Sequence, residues 1–563
     1  MAKAKDLQES DSWQAGLRFS DRPTDGPEPN MADMTSQNHD VILVGSGING
    51  LVCAAFLARS GRRVLVLERD RALGGCIRTE ELTLPGFRHD TLSTAHPLFL
   101  VGPAYAALGQ ALHEAGLEYC NNDTPTGVVM ADGSHLVLTR SREDNRRRFD
   151  ACVPGGGAAY ACAMADVEGQ AELIFALLGS ELWRWSTARQ VGKAAWGQGA
   201  HALAGFFGDA LTPARPWLSQ AFGSRPNLPA ALLAPWVLHT GLGPDAPLSA
   251  LMDKVVAFTL EAVGMPLVRG GNARTVEAFE RLITQAGGEC RTGAHVEQVL
   301  VERGRAVGVR LQGGEELRAR DVVCSVTPSQ LYTQLLDPTQ LPPEVVTQAR
   351  TFRHGKGNMQ IHLALSEAPR WHDPALEGVT YVHLTDGPDA VSKAVNEAER
   401  GWLPAVPTVC VAQPTALDPS RAPAGQHILW IQLPECPSQI LGDAAGELPV
   451  PPDGRWTEAV RERYADRALA LVAKYIHNLP TATLARKVLS PADLEALNIN
   501  LVGGDPYGGD CSLDQSFLWR PLRATRNHET PVPNLWHIGA STHPGPGLGG
   551  GSGFHVAQRL GAA

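Results

Sequence analysis

Short apolar runs broken by glycine mark both ends of the chain, and long helical periodicities fill its middle. Near the start, the β-branched run Val41-Ile42-Leu43-Val44 leads into Gly45-x-Gly47-x-x-Gly50. An alanine-rich helical pattern follows from Leu51 to about Ser60, and a second apolar run, Val64 to Leu67, ends in Glu68. Near the end, Leu535 to Ile538 reads as a strand, followed by the glycine-rich stretch 539–553 and a helical pattern through Arg559. Short strands with turn signals lie at 287–297, 307–309 and 321–325. From about Asp166 to Gly264 the period changes to that of helices, with segments at 167–178, 181–196, 201–211, 228–239 and 248–263. The runs 359–365, 408–412 and 427–432 read as strands of a second sheet beneath those helices. The pattern predicts an α/β fold.

The first of these segments carries chemistry. Gly45 permits a tight turn, Gly47 lets the backbone approach a pyrophosphate, and Gly50 lets the helix sit close to the strand. The N-terminus of the helix that follows presents free N–H groups and a positive dipole end to the phosphates, and Ile48 and Asn49, between the glycines, are expected cofactor contacts. Glu68, at the end of the second strand, is placed to accept from a ribose 2′-OH. The charged turn Arg69-Asp70-Arg71 then leads to Gly74-Gly75. A simple NAD site has no need of a second glycine turn here. FAD is longer, and a Leu-Gly-Gly turn lets backbone run close along its extension.

The run 74–90 resembles the N-terminal part of FAD-dependent phytoene desaturases and their relatives. Gly539-Ala540-Ser541-Thr542-His543-Pro544-Gly545 resembles the family's GA-x-THPG segment, which closes the FAD site from the far end of the chain. After it this chain departs from the usual PGGGVxGxxG, because Pro546 interrupts and Gly549, Gly550 and Gly551 run together. The segment 505–521 is similar to the branch holding the cyanobacterial-type β-carotene ketolase and the pyridine nucleotide-disulfide oxidoreductase domain-containing protein 2. The resemblance implies a backbone contact from Val296 to the adenine and cofactor contacts at Gly549 and Gly550. It also implies a Rossmann-type FAD-binding domain in three segments, 39–150, 265–335 and 500–563. An interleaved α+β substrate domain with a helical lid would then occupy 151–264 and 336–499.

Composition narrows the function classes. The 563 residues suit two intertwined domains, and a net charge of −10 argues against a nucleic-acid partner. The ten cysteines contain no CxxC, which excludes disulfide-reductase chemistry and zinc-ribbon spacing, and no metal site is expected. Their scatter suits a reducing, cytoplasmic setting. Residues 1–38 are polar and proline-bearing without an apolar h-region, so they read as a disordered tail and not a signal peptide. Five of the twelve tryptophans, Trp183, Trp185, Trp196, Trp217 and Trp236, fall in the helical middle. They suit a domain core, a lipophilic channel or a peripheral membrane contact.

Together these features point to an FAD-dependent oxidoreductase that removes hydride from a lipophilic substrate, a carotenoid or polyene in the resembled family. A flavin oxidase or dehydrogenase of a smaller amine, alcohol or cyclic compound, and a flavin-binding interaction protein without turnover, are the other readings. His96 and His543 are the candidate proton relays, and Arg520 a candidate partner of substrate or flavin. No second GxGxxG follows a strand, so oxygen or a quinone, rather than NAD(P), is the expected acceptor.

Overall fold

The computed structural model describes residues 39–562. The expected tail at 1–38 lies outside them.

The first sheet has seven strands. Its order is Val296–Glu302, Arg305–Leu311, Glu316–Ser325, His39–Val44, Val64–Leu67 and Glu289–Arg291, with Leu535–Ile538 also pairing with Glu316–Ser325. His39–Val44 runs parallel to both Val64–Leu67 and Glu316–Ser325, and Leu535–Ile538 runs parallel to the latter. Parallel strands are covered on both faces, which is why Val41, Ile42 and Leu43 form an unbroken apolar run with no exposed surface. The strand Glu316–Ser325 joins two motifs. Residues 316–318 close an antiparallel hairpin with Arg305–Leu311, and residues 319–325 enter the parallel layer. The helices Ile48–Arg59, Ala273–Gln285 and Gly551–Arg559 cover this sheet, their apolar faces merging with its buried side chains into one core. This is a Rossmann-type FAD-binding fold.

The second sheet also has seven strands, in the order Thr483–Leu489, Gly357–Leu365, His427–Cys436, Val409–Ala412, Tyr381–Leu384, Thr126–Val129 and His135–Leu138. Every residue of Gly357–Leu365 is buried. The expected strands at 359–365, 408–412 and 427–432 therefore share one sheet. Two further strands join that sheet from an earlier part of the chain. Thr126–Val129 and His135–Leu138 fall within 39–150, yet Thr126–Val129 pairs with Tyr381–Leu384 and so belongs to the second sheet. An apolar run announces burial, but it does not name its pairing partner.

The helical middle breaks more often than its periodicity suggests. Gln170 separates Gly156–Gly169 from Ala171–Gly179 inside the expected segment 167–178, while Gly199, with φ 86°, makes the expected break between Trp185–Gln198 and Ala200–Ala210. The segment 228–239 is helical only over Leu228–Leu233 and tightens into a 3-10 turn, Ala234–Thr240, where Pro235 enters. No helix among the described residues is long and apolar enough to cross a membrane. All ten cysteines are free thiols.

Candidate functional site

A cavity of about 1050 Å³ runs from the glycine turns of the first sheet to the inner face of the second. Pockets for drug-sized ligands span about 300–1,000 Å³, so this cavity stands at the upper end of that range.

One end is a backbone cradle. Gly45 takes φ +93°, and its N–H donates to the Leu67 carbonyl at 2.8 Å, tying the turn to the second strand. A Cβ on Gly50 would collide with the Gly45 carbonyl, so only glycine lets the helix begin this close. A Cβ on Gly47 would meet nothing within 4 Å and would project into open space. Gly47 is also the N-cap of Ile48–Arg59 and supplies no side-chain acceptor, so the helix start is left for an anion. These two facts are what a pyrophosphate requires. Gly74 and Gly75 take φ +112° and +58°, and a Cβ on Gly75 would stand 3.4 Å from the Gly47 Cα, so the two glycine turns face one another.

Glu68 lines this end, as do Arg69, Val296, Ile48 and Asn49. The Glu68 carboxylate accepts from the Ser46 N–H at 3.0 Å, the Ser46 hydroxyl at 2.6 Å and the Asp70 N–H at 3.0 Å. The Ser46 hydroxyl in turn accepts from the Gly74 N–H at 2.9 Å. Ser46 thus links the first glycine turn, the acid and the second glycine pair. Sequence reading passes over it as a variable position of the fingerprint.

The C-terminal glycines divide. Gly539, Ala540 and Gly549 line the cavity. Gly550, at φ +70°, is held by packing: a Cβ there would come within 2.7 Å of Val52. Like Gly50, it shapes the wall without facing the space.

The three proposed catalytic side chains do not line the cavity. His96 is buried between two lining residues, Ala95 and Pro97, and burial holds its imidazole down to about 4. His543 is likewise buried and held down to about 3, first by burial and then by neighbouring His555 and Arg520. Arg520 donates to the carbonyls of Tyr507 at 2.8 Å, Ala540 at 2.9 Å and Asp510 at 3.3 Å. Its guanidinium is engaged in stapling the 507–510 segment to the Gly539-Ala540 turn.

The other end of the cavity is walled mainly by apolar and aromatic side chains, with the amides of Asn358, Gln360 and Gln432 on the second sheet. Phe175, Met252, Val256 and Met265 meet Trp236, Tyr381 and Trp430 there. The Tyr381 ring stacks between Trp236, 6.2 Å away, and Trp430, 5.6 Å away. The carboxylates that line the cavity, Glu68, Asp70 and Glu297, belong to the strand ends and turn around the glycine cradle. None lies on the helix Ser249–Val263 or the second-sheet strands that wall the apolar end. His239 is the histidine on that wall. Trp236 is visible in the tryptophan-rich middle, but Tyr381, Trp430 and His239 carry no signal in spacing.

Comparison with known proteins follows the same lines. The family model for flavin containing amine oxidoreductases matches residues 48–470. The pyridine nucleotide-disulfide oxidoreductase domain-containing protein 2 of Rattus norvegicus is 28% identical over 555 residues, covering 92% of this chain and 93% of that protein. A component of the limonene dehydrogenase of Castellaniella defragrans is 26% identical, with 92% and 94% covered. The zeta-carotene-forming phytoene desaturase of Myxococcus xanthus is 26% identical, with 91% and 92% covered. Among solved structures, a cofactor-site variant of putrescine oxidase aligns with a TM-score of 0.59 at 16% identity, covering 93% of this chain and 99% of the other. That likeness speaks for the fold.

Proposed function

The chain belongs to the flavin containing amine oxidoreductase family, as a phytoene desaturase-like FAD-dependent oxidoreductase, and from that premise we propose that it removes hydride from an uncharged, lipophilic substrate. Bound FAD supplies the hydride acceptor. Gly45, Gly47, Ile48, Asn49 and Gly50 form the pyrophosphate cradle, Glu68 with Arg69 and Val296 borders the adenosine, and Gly74 and Gly75 border the extension. Gly539, Ala540 and Gly549 close the opposite wall, and Gly550 fixes their turn. The apolar end orients the substrate and keeps water from it.

The observation that carries this reading is the charge distribution of the cavity. An ammonium substrate needs a carboxylate or a cation–π partner once it is desolvated. The apolar end offers no carboxylate, whereas its aromatic and thioether walls suit a hydrocarbon. Two of the relatives are named for terpenoid hydrocarbons, limonene and phytoene. The stacked Trp236, Tyr381 and Trp430 favour a second reading, oxidation of an amine held by cation–π attraction.

The deciding experiment follows the flavin spectrum without oxygen while a cyclic terpene, a linear polyene or a primary amine is added. Bleaching by a hydrocarbon supports the first reading. Bleaching by the amine alone replaces it with the second. Readmitting oxygen or a quinone then identifies the acceptor by the rate of colour recovery.

A further inference from the structure

A second cluster of chemistry lies behind the apolar end of the cavity. The strands Tyr381–Leu384 and Val409–Ala412 pair antiparallel with His383 opposite Cys410, so both side chains stand on one face of the sheet. The 3-10 turn Ala234–Thr240 lays His239 over that face. Its Nε2 comes 3.0 Å from the Nε2 of His383. One ligand atom from each of His239, His383 and Cys410 lies within 4.8 Å of the other two. His383 and Cys410 have no exposed surface, while His239 reaches the cavity wall and gives the cluster an entry path. The cluster is short of hydrogen-bond partners. Only one of two facing Nε2 atoms can donate to the other, and the buried Nδ1 of His383 has none.

We propose that His239, His383 and Cys410 form a three-coordinate site for a monovalent copper ion. Two imidazoles and a thiolate are the borderline and soft donors that such an ion prefers. Imidazoles ligate in their neutral form. The ion must displace the proton of the Cys410 thiol to bind it as a thiolate. Charge then selects among ions. No carboxylate, third histidine or second cysteine joins the group among the described residues. Monovalent copper with one thiolate is neutral, whereas divalent zinc would leave a net positive charge buried without a counter-ion. Zinc also favours a fourth, tetrahedral ligand. For metal–nitrogen bonds of about 2 Å the two imidazoles must part slightly, and His239, on a short turn at the cavity wall, is the one placed to move.

The test uses the flavin-loaded protein, kept reduced and free of oxygen, in competition with a chromophoric chelator for monovalent copper. A parallel titration uses zinc and a zinc-sensitive dye. The expected result is withdrawal of one copper per chain, with X-ray absorption showing one sulfur and two nitrogen neighbours. His239→Gln and Cys410→Ser should each weaken retention by about tenfold or more. Flavin content and melting temperature report whether each variant is folded. If Cys410→Ser does not fold, His239→Gln, a change at the cavity wall, decides alone. Failure of the unaltered protein to withdraw copper, retention unchanged in the folded variants, or a preference for zinc would each overturn the assignment.

Discussion

A Cβ added at Gly553 would collide with the backbone carbonyl of Asn49. The first turns of the helices Ile48–Arg59 and Gly551–Arg559, almost the whole chain apart in sequence, therefore meet backbone to backbone. Gly553→Ala should force them apart, and forced overpacking of this kind costs about 1–3 kcal/mol. Because Asn49 also lines the cavity, flavin occupancy should fall with the melting temperature. Scanning calorimetry and the protein-to-flavin absorbance ratio check both, and an unchanged ratio would count against the coupling.

Gly47 and Gly50 separate cofactor binding from folding. Gly47→Val adds its side chain to open space, so the protein should fold normally and lose FAD affinity by about tenfold or more, which is at least about 1.4 kcal/mol. Gly50→Ala drives a methyl into the Gly45 carbonyl and should lower stability even without cofactor. Thermal melts of the flavin-free proteins distinguish the two, and a melt lowered equally by both variants contradicts the assignment.

The buried histidines set an acid limit. Burial lowers His96 and His537 to about 4 and His543 to about 3, from an ordinary value of 6.5. On acidification the unfolded chain takes up these protons first, so their contribution to stability is complete above 6.5 and is lost as the pH falls toward 4. Melting temperature should decline across that window and be flat just above it. His96→Leu should make the decline shallower. An identical slope in the variant removes His96 from the explanation.

A carboxylate placed at the apolar end tests the charge argument for the substrate. Met252 lies on the cavity wall. Met252→Glu buries part of an unpaired acid and should weaken a hydrocarbon ligand by about tenfold or more, while an amine should bind better or reduce the flavin faster. Titrations followed by flavin absorbance measure both. Tighter hydrocarbon binding in the variant would sink the argument.

These predictions divide along the line between local and long-range information. The glycine turn was legible because each glycine answers a local demand: a positive φ at Gly45, a close approach at Gly50, open space at Gly47. The division of the first sheet among distant segments was legible only through resemblance, since nothing in Leu535–Ile538 alone names Glu316–Ser325 as its partner. The apolar end was not legible. Tyr381 and Trp430 meet because two strands lie in one sheet, and His239 reaches His383 because a 3-10 turn crosses above it. Arg520 reads as catalytic in sequence, since an arginine among glycines and aromatics gives no sign that three carbonyls await it.

The strand Leu535–Ile538 and the helix behind it also bear on biosynthesis. A ribosome delivers Gly45 to Glu68 early and must add several hundred residues before the opposite wall of the cradle exists. Chains halted before about residue 535 can assemble the early strands but not the enclosure, so retention of flavin becomes a sign that translation has passed through the C-terminal segment. A cell that degrades apo-chains would thereby clear prematurely terminated copies by the same criterion.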